Sequence, residues 1–343
     1  MAVLVTGGAG YIGSHMAWAL LDADEDVVVI DRLSTGFRWA VPPAARFYLG
    51  NVGNRELLAQ IFAENDIDAI LHFAGSIVVP QSVAHPLEYY ENNTSNTRLL
   101  AAAAVEAGIR HLVFSSTAAV YGEVADTPVL ETAPTLPKNP YGHSKLMSEL
   151  MLKDAAAAHD FRFVALRYFN VAGADPMGRT GLSTDGATHL IKIACEAALG
   201  QRAGVDVYGT DYPTSDGTGV RDYIHVSDLV NAHLKALSYL RQGGEALIAN
   251  CGYGRGYSVL EVLETVTQLG GNTFEINYRP RRTGDAASVV ANSTLVRDRL
   301  GWVPRHDDLT VILKTALAWE QSLLERKGGE LHAIRQRLVS ASF

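Results

Sequence analysis

The sequence predicts an α/β protein, a doubly wound parallel sheet followed by a smaller mixed α/β lobe. Three observations carry that expectation. Six short apolar runs, AVLVT (2–6), VVVI (27–30), FYL (47–49), AILHF (69–73), LVFSS (112–116) and FVALR (163–167), are each followed by a longer crossover segment. That alternation belongs to a parallel sheet with helical connections. The crossovers IGSHMAWALLDA and TRLLAAAAVEAG (97–108) space their apolar residues at the helical period. A glycine-rich turn joins the first run to the first of these crossovers.

The chain has 343 residues, 48% of them hydrophobic, which is more than one average domain needs. The expected division is 1–174 and 175–343, with some later segments returning to the first part. The stretch ADPMGRTGLSTDGATH after Asn170 reads as a long ordered loop, a feature usually kept for function. Beyond it, helices are expected at 188–199, 226–241, 258–268, 293–300 and 309–325, with a few short strands. Residues past Arg326 are polar and amphipathic and receive no role.

Composition excludes several function classes. The net charge is -8, without a Lys/Arg cluster, so no nucleic-acid partner is expected. Cys195 and Cys251 form no C-x-x-C pair, so they read as buried thiols and not as a zinc site or disulfide framework. MAVLVTGG runs straight into a strand without a leader pattern, and no apolar run is long enough to span a membrane. A cytoplasmic protein with no metal and no membrane partner is expected.

The turn VTGGAGYIGSH sets Gly7, Gly10 and Gly13 three apart, and Gly8, Gly10 and Gly13 also satisfy G-x-G-x-x-G between a strand and a helix. One glycine permits the turn, one lets backbone approach a pyrophosphate, and one lets helix pack on strand. The N–H groups opening the helix, around Tyr11 and Ile12, supply positive potential. Asp31 ends the second run 18 residues after Gly13, where a carboxylate accepts the ribose 2′-hydroxyl of NAD and repels the 2′-phosphate of NADP. Arg32 beside it would suit a 2′-phosphate, but Asp31 holds the strand end, so NAD is the expected cofactor of this Rossmann arrangement. Asn51 and Val52 end the third run, placed to hold adenine. Phe73, Ala74 and Gly75 end the fourth, where small residues leave room for the cofactor.

NPYGHSKLMSE places Tyr141 and Lys145 at i and i+4, on one face of a helix. A tyrosine near pKa 10 is a weak base at neutral pH. An ammonium roughly 4 Å away would stabilise its anion by about 4 kcal/mol at an effective dielectric near 20, or about three on the pKa scale. Tyr141 could then act as a general base. Thr117, ending the fifth run, offers a second hydroxyl to the same oxygen.

Taken together, TGGAGYIGSH, Asp31, HFAG, SSTAAVYG, PYGHSK, LRYFNVAGA, YPTSDGTGVRDYIHV and PRRTGD resemble the extended short-chain dehydrogenases, most closely their UDP-hexose 4-epimerase branch. The motifs run from Val3 to Trp302. The resemblance implies Tyr141 as base, Lys145 as its electrostatic partner and nicotinamide-ribose ligand, and Thr117 at a Ser/Thr position. It also implies Asn92 and Tyr168 near the cofactor. For a UDP-sugar it implies Asn170, His189 and Leu190, Tyr208 against uracil, Arg221 and Arg282 on phosphate, and Asp285 on ribose. Arginine suits phosphate because its planar fork binds two oxygens; the alternative for both is a surface ion pair, with Asp222 or Asp285. Val289 falls where similar enzymes border the sugar's 2-position.

The pattern departs from the family at Ile77, where many members have lysine, at Asn51, where aspartate is usual, and at His189, where asparagine is usual. The implied activity is inversion of carbon 4 of a UDP-hexose through a 4-keto sugar, UDP-galactose to UDP-glucose foremost. UDP-N-acetylhexosamines and UDP-uronates or pentoses are alternatives. A nucleotide-sugar 4,6-dehydratase needs acidic residues after the threonine, where Ala118 and Ala119 stand. A non-catalytic NAD-binding scaffold is the reading from another class. A homodimer is expected through the alanine-rich faces of 97–108 and MLKDAAAAHD, unless those alanines pack on their own sheet.

Overall fold

All six apolar runs form strands: β1 (Ala2–Thr6), β2 (Asp26–Asp31), β3 (Arg46–Leu49), β4 (Ile67–His72), β5 (His111–Thr117) and β6 (Arg162–Tyr168). The computed structural model describes residues 1–124, 127–282 and 285–340, with side chains described as far as 326. A seventh strand, β7 (Leu247–Cys251), completes one sheet in the order β7-β6-β5-β4-β1-β2-β3, and every pairing in it is parallel. The sequence expectation stopped at six because LIANC, interrupted by Asn250, is a weak apolar run. Asn250 is tolerated there because its side chain is fully hydrogen-bonded.

Alternate residues of each strand face opposite layers. Val3, Val5, Val27, Val29, Val113 and Val164 pack on one side, Leu4, Val28, Ile70, Leu112 and Phe114 on the other. The longer helices of the first half are α1 (Tyr11–Leu21), α2 (Arg55–Glu64), α3 (Asn96–Glu106) and α4 (Pro140–Ala158). Ala101, Ala103 and Ala104 of α3 are buried in the chain's own second layer, so this helix spends much of its alanine face on its own sheet.

The later helices are α5 (Leu190–Ala198), α6 (Val226–Arg241), α7 (Val259–Gly270), α8 (Thr294–Leu300) and α9 (Leu309–Ser340). Helix α9 runs past the expected end near 325. Helix α6 packs on the main sheet and β7 extends it, although both lie beyond residue 174. Ile191, Ala194, Val205, Val262 and Ile312 continue the first apolar layer, so one core joins the sheet to the elements that follow. Small sheets complete the chain: Asn170–Ala172 with Tyr223–His225, Gly204–Tyr208 with Glu275–Arg279, and Val220–Arg221 between Tyr257–Ser258 and Ser288–Val289. Thr283 and Gly284 of the PRRTGD motif lie outside the described residues.

In the sheet, β2 and β3 lie on one side of β1 and β4 to β7 on the other. The chain order therefore reverses between β1 and β4, whose ends Thr6 and His72 are in register. Open parallel sheets bind ligands at the crevice outside the strand ends at such a reversal.

Candidate active site

The glycine turn stands at that crevice. Gly7 has φ +69°, and a Cβ on it would lie 2.7 Å from the Ala74 nitrogen; one on Gly13 would lie 2.2 Å from the Gly7 carbonyl oxygen. Any side chain at either position would close the turn. Helix α1 begins after Gly10 with neither a side-chain cap nor an acidic residue in its first turn, leaving the N–H groups of Tyr11, Ile12 and Gly13 open to an anion. Asp31 spans the turn from the next strand: Oδ2 accepts from the Ala9 N–H at 2.9 Å and Oδ1 from the Leu33 N–H at 2.7 Å. It thus shapes the loop as well as standing where a ribose is expected. Arg32 is exposed and donates to Ser34.

The Asn51 side chain accepts from Gly53 N–H, and Val52 is buried beside it. Phe73 lies 4.8 Å from the His233 ring, and Ala74 N–H donates to Thr6 Oγ1. The chain from Tyr90 to Ser95 widens into a π-helical turn, a distortion found often at functional sites. It carries Asn92, which donates to Ser76 Oγ at 2.8 Å. It also carries Asn93, which clasps Ser76 N–H and C=O and donates to Ser144 on the catalytic helix. Sequence reading missed Asn93; the adjacent NN pair was its only signal. These residues form a cradle that fits a dinucleotide: small where backbone must approach, with unpaired N–H groups where phosphates would lie.

Helix α4 starts at Asn139, whose side chain accepts from Gly142 N–H at 2.9 Å, with Pro140 in its first turn. A Cβ on Gly142 would meet the Ala119 carbonyl at 2.6 Å, so glycine lets α4 press against the turn that follows β5. Tyr141 and Lys145 are both buried on that face, 9% and 3% exposed, and Thr117 closes β5 beside them.

Their electrostatics differ from the expected pairing. Tyr141 has its pKa raised, chiefly by burial, with a hydrogen bond from Thr117 opposing and the nearby Tyr89 adding to the rise. Lys145 does not enter that balance. Its ammonium donates to the Ser115 carbonyl oxygen at 2.8 Å and lies 4.9 Å from the Phe114 ring centre. Burial lowers its pKa to about 8, with Glu149 opposing. The helical spacing brings both groups to one face, as expected, but burial outweighs charge pairing because β5 claims the ammonium. Tyr168 stands beside them, its hydroxyl bonded to Ser115 Oγ and its pKa raised by burial and then by Tyr141.

Six residues expected to hold a UDP-sugar fall into two linked sets. Arg221 and Val289 pair in register on adjacent strands, and the Asn170 N–H donates to the Asp222 carbonyl next to Arg221. The Arg282 guanidinium stacks 3.8 Å from the Tyr208 ring centre, and Asp285 N–H donates to the Arg282 carbonyl. The alternative of ion pairs is not what forms. Asp222 is buried and receives the N–H groups of Tyr253, Gly254 and Ala291. Among the described residues no carboxylate lies within ion-pair distance of Arg221 or Arg282. Arg221 donates only to the neighbouring Val220 carbonyl. His189 caps α5 and Leu190 opens it, and His189 lines a small cavity with Tyr11, Ala172 and Gly173; no hydrogen bond or ring contact among the described residues joins either to Arg221 or Tyr208. Ile77 is exposed.

Among the described residues, no group of His, Cys, Asp or Glu could hold a metal ion, and no helix is long and apolar enough to cross a membrane.

The family model described as the NAD dependent epimerase/dehydratase family matches residues 3–252. A UDP-glucose 4-epimerase of Azospirillum brasilense is 56% identical over 326 residues, spanning 95% of this chain and 94% of its own. The structure of a UDP-glucose 4-epimerase from Brucella ovis in complex with NAD is 41% identical with a TM-score of 0.90, covering 92% of this chain and 97% of that one. A UDP-glucose 4-epimerase from Bifidobacterium longum, solved with NAD+ and UDP, is 37% identical with a TM-score of 0.88, covering 94% and 98%. With the dinucleotide cradle, the buried Tyr141–Thr117 pair and this likeness along nearly its whole length, the chain belongs to the NAD dependent epimerase/dehydratase family.

Proposed function

We propose that this protein is a UDP-glucose 4-epimerase, which interconverts UDP-galactose and UDP-glucose by inverting carbon 4 of the hexose. The observation that carries the reading is the buried pair of hydroxyls, Thr117 at the end of β5 and Tyr141 on α4, with Thr117 opposing the rise in the tyrosine pKa. Bound NAD supplies the acceptor and donor for the carbon 4 hydrogen, and a positive ring that favours ionised Tyr141. Gly7, Gly10, Gly13, Asp31, Asn92 and Lys145 hold it. Tyr141 takes the proton of the 4-hydroxyl and later returns it, so no net oxidation results. Thr117 fixes the tyrosine oxygen toward that hydroxyl. Arg221, Arg282 and Asp285 grip the UDP while the hexose is held loosely enough to turn over and present its other face. Binding concentrated on the non-reacting part of a substrate allows this.

Ala118 and Ala119 stand beside Tyr141 and can transfer no proton, which disfavours a dehydratase that must eliminate water. The relatives' shared activity supports the same choice. The experiment is to incubate the purified protein with UDP-galactose and no added NAD. UDP-glucose should form. A 4-keto-6-deoxy sugar would instead mean a dehydratase, and release of NAD on denaturation without turnover would mean a scaffold.

The protein acts as a homodimer in this proposal. Met147 and Leu150 of α4, with Val83 and Leu87 beside it, form an exposed apolar patch suited to a second copy. A 37 kDa particle in sedimentation at micromolar concentration would overturn that. A cytoplasmic location fits two buried free thiols.

A further inference from the structure

Three consecutive residues of β5 hold three successive turns of α4. Thr117 bonds Tyr141, the Ser115 carbonyl accepts from Lys145, and Ser116 Oγ donates to Glu149 Oε1 at 2.5 Å. The mechanism uses the first two. Glu149, 1% exposed, has no part in it, yet it is among the most fully bonded groups in the molecule. Arg167 of β6, itself 5% exposed, donates to it from Nε at 2.9 Å and Nη2 at 2.6 Å. Arg167 Nη1 donates to the Tyr121 hydroxyl at 3.0 Å, which donates to Asn250 Oδ1 at 2.7 Å. Asn250 Nδ2 in turn donates to the Val129 carbonyl, and Val129 N–H donates to the carbonyl of Val290, next to Val289.

Buried ion pairs rarely stabilise a fold more than apolar side chains of equal size would. What this one supplies is a fixed negative charge one helical turn from Lys145. The other groups facing Lys145 cannot do so. His72 of β4 is buried with its pKa lowered to about 3, Tyr168 of β6 is bonded to Ser115, Asn93 is uncharged, and burial raises the pKa of Tyr141. Of the groups acting on Lys145, burial favours the neutral amine and Glu149 favours the ammonium.

We propose that Glu149 is a positioning residue: clamped by Ser116 and Arg167, it keeps the Lys145 ammonium charged inside the protein and fixes the turn of α4 that aims Tyr141 at Thr117.

The test is the titration of Lys145 in protein labelled with 13Cε-lysine, its resonance assigned by its loss in Lys145→Arg. In Glu149→Gln the midpoint should fall from its wild-type value by about one pH unit, because an ammonium that loses its anion gives up its proton at lower pH. Glu149→Asp keeps the charge and should restore the midpoint. Should Glu149→Gln fail to fold because Arg167 is left uncompensated, the double variant Glu149→Gln with Arg167→Met leaves no unpaired guanidinium behind, and its midpoint should still fall. The alkaline limb of turnover should move the same way. An unmoved midpoint in the Gln and double variants, or an Asp variant that titrates like Gln, would overturn the proposal. A shifted midpoint in a protein without epimerase turnover would leave Glu149 in place and reject the proposed function instead.

Discussion

The two cationic regions of the candidate site are built on opposite principles. Around α4, Lys145 and Arg167 are buried, Lys145 donating to Ser115 and Arg167 to Glu149 and Tyr121. Along 208–289, Arg221 and Arg282 have no carboxylate partner among the described residues, and Arg282 rests on an aromatic face. The first arrangement suits proton transfer, where oriented groups in a dry interior act without reorganising. The second suits capture of an anion, since donors not already spent on carboxylates are free for phosphate oxygens. The difference teaches that chemistry is pre-set in the sheet half, while affinity waits on the ligand.

The strongest break of that contrast is Tyr141→Phe, which removes the proton carrier and little cofactor surface. Turnover should fall roughly 100- to 10,000-fold, with NAD content, measured by release on denaturation, unchanged. Turnover near wild type would remove Tyr141 as base. Next, Arg221→Ala and Arg282→Ala should each raise KM for UDP-galactose roughly 10- to 100-fold, since a charge-assisted hydrogen bond contributes about 1.5–3 kcal/mol. Their kcat should stay within a few-fold. A collapse of kcat with KM unmoved would place these arginines in the chemistry and erase the division between the regions.

The smallest effect sharpens the comparison. Val289 is half-buried and in register with Arg221, where a tyrosine would fill space that an N-acetyl group needs. UDP-N-acetylgalactosamine should therefore be epimerised beside UDP-galactose. In Val289→Tyr the ratio of their kcat/KM values should drop roughly 10-fold or more. An unchanged ratio, or no N-acetyl turnover in wild type, removes Val289 from that role.

How much was legible in the sequence differs between the regions for physical reasons. The strands and the glycine turn are local: strand alternation, steric room at Gly7 and Gly13, and the i, i+4 face of Tyr141 and Lys145 all follow from residues close in the chain. The assignment of Asn170, Tyr208, Arg221, Arg282, Asp285 and Val289 was reached through likeness to known sequences, because contacts across fifty or more residues leave no local pattern. Strand β7 was missed for a related reason, its apolar run being broken by an asparagine whose partners, Tyr121 and Val129, lie far away in the chain.

By itself, the sequence determined the parallel sheet, the position of the glycine turn and the shared helix face of Tyr141 and Lys145, since each depends on backbone geometry and near neighbours. Only the tertiary structure decided how those groups are charged. The ammonium of Lys145 donates to the Ser115 carbonyl, burial raises the pKa of Tyr141, and Arg167 holds Glu149 one turn further along the helix. Ionisation inside a protein is set by desolvation and by every charge packed nearby, and neither is a property of spacing along the chain.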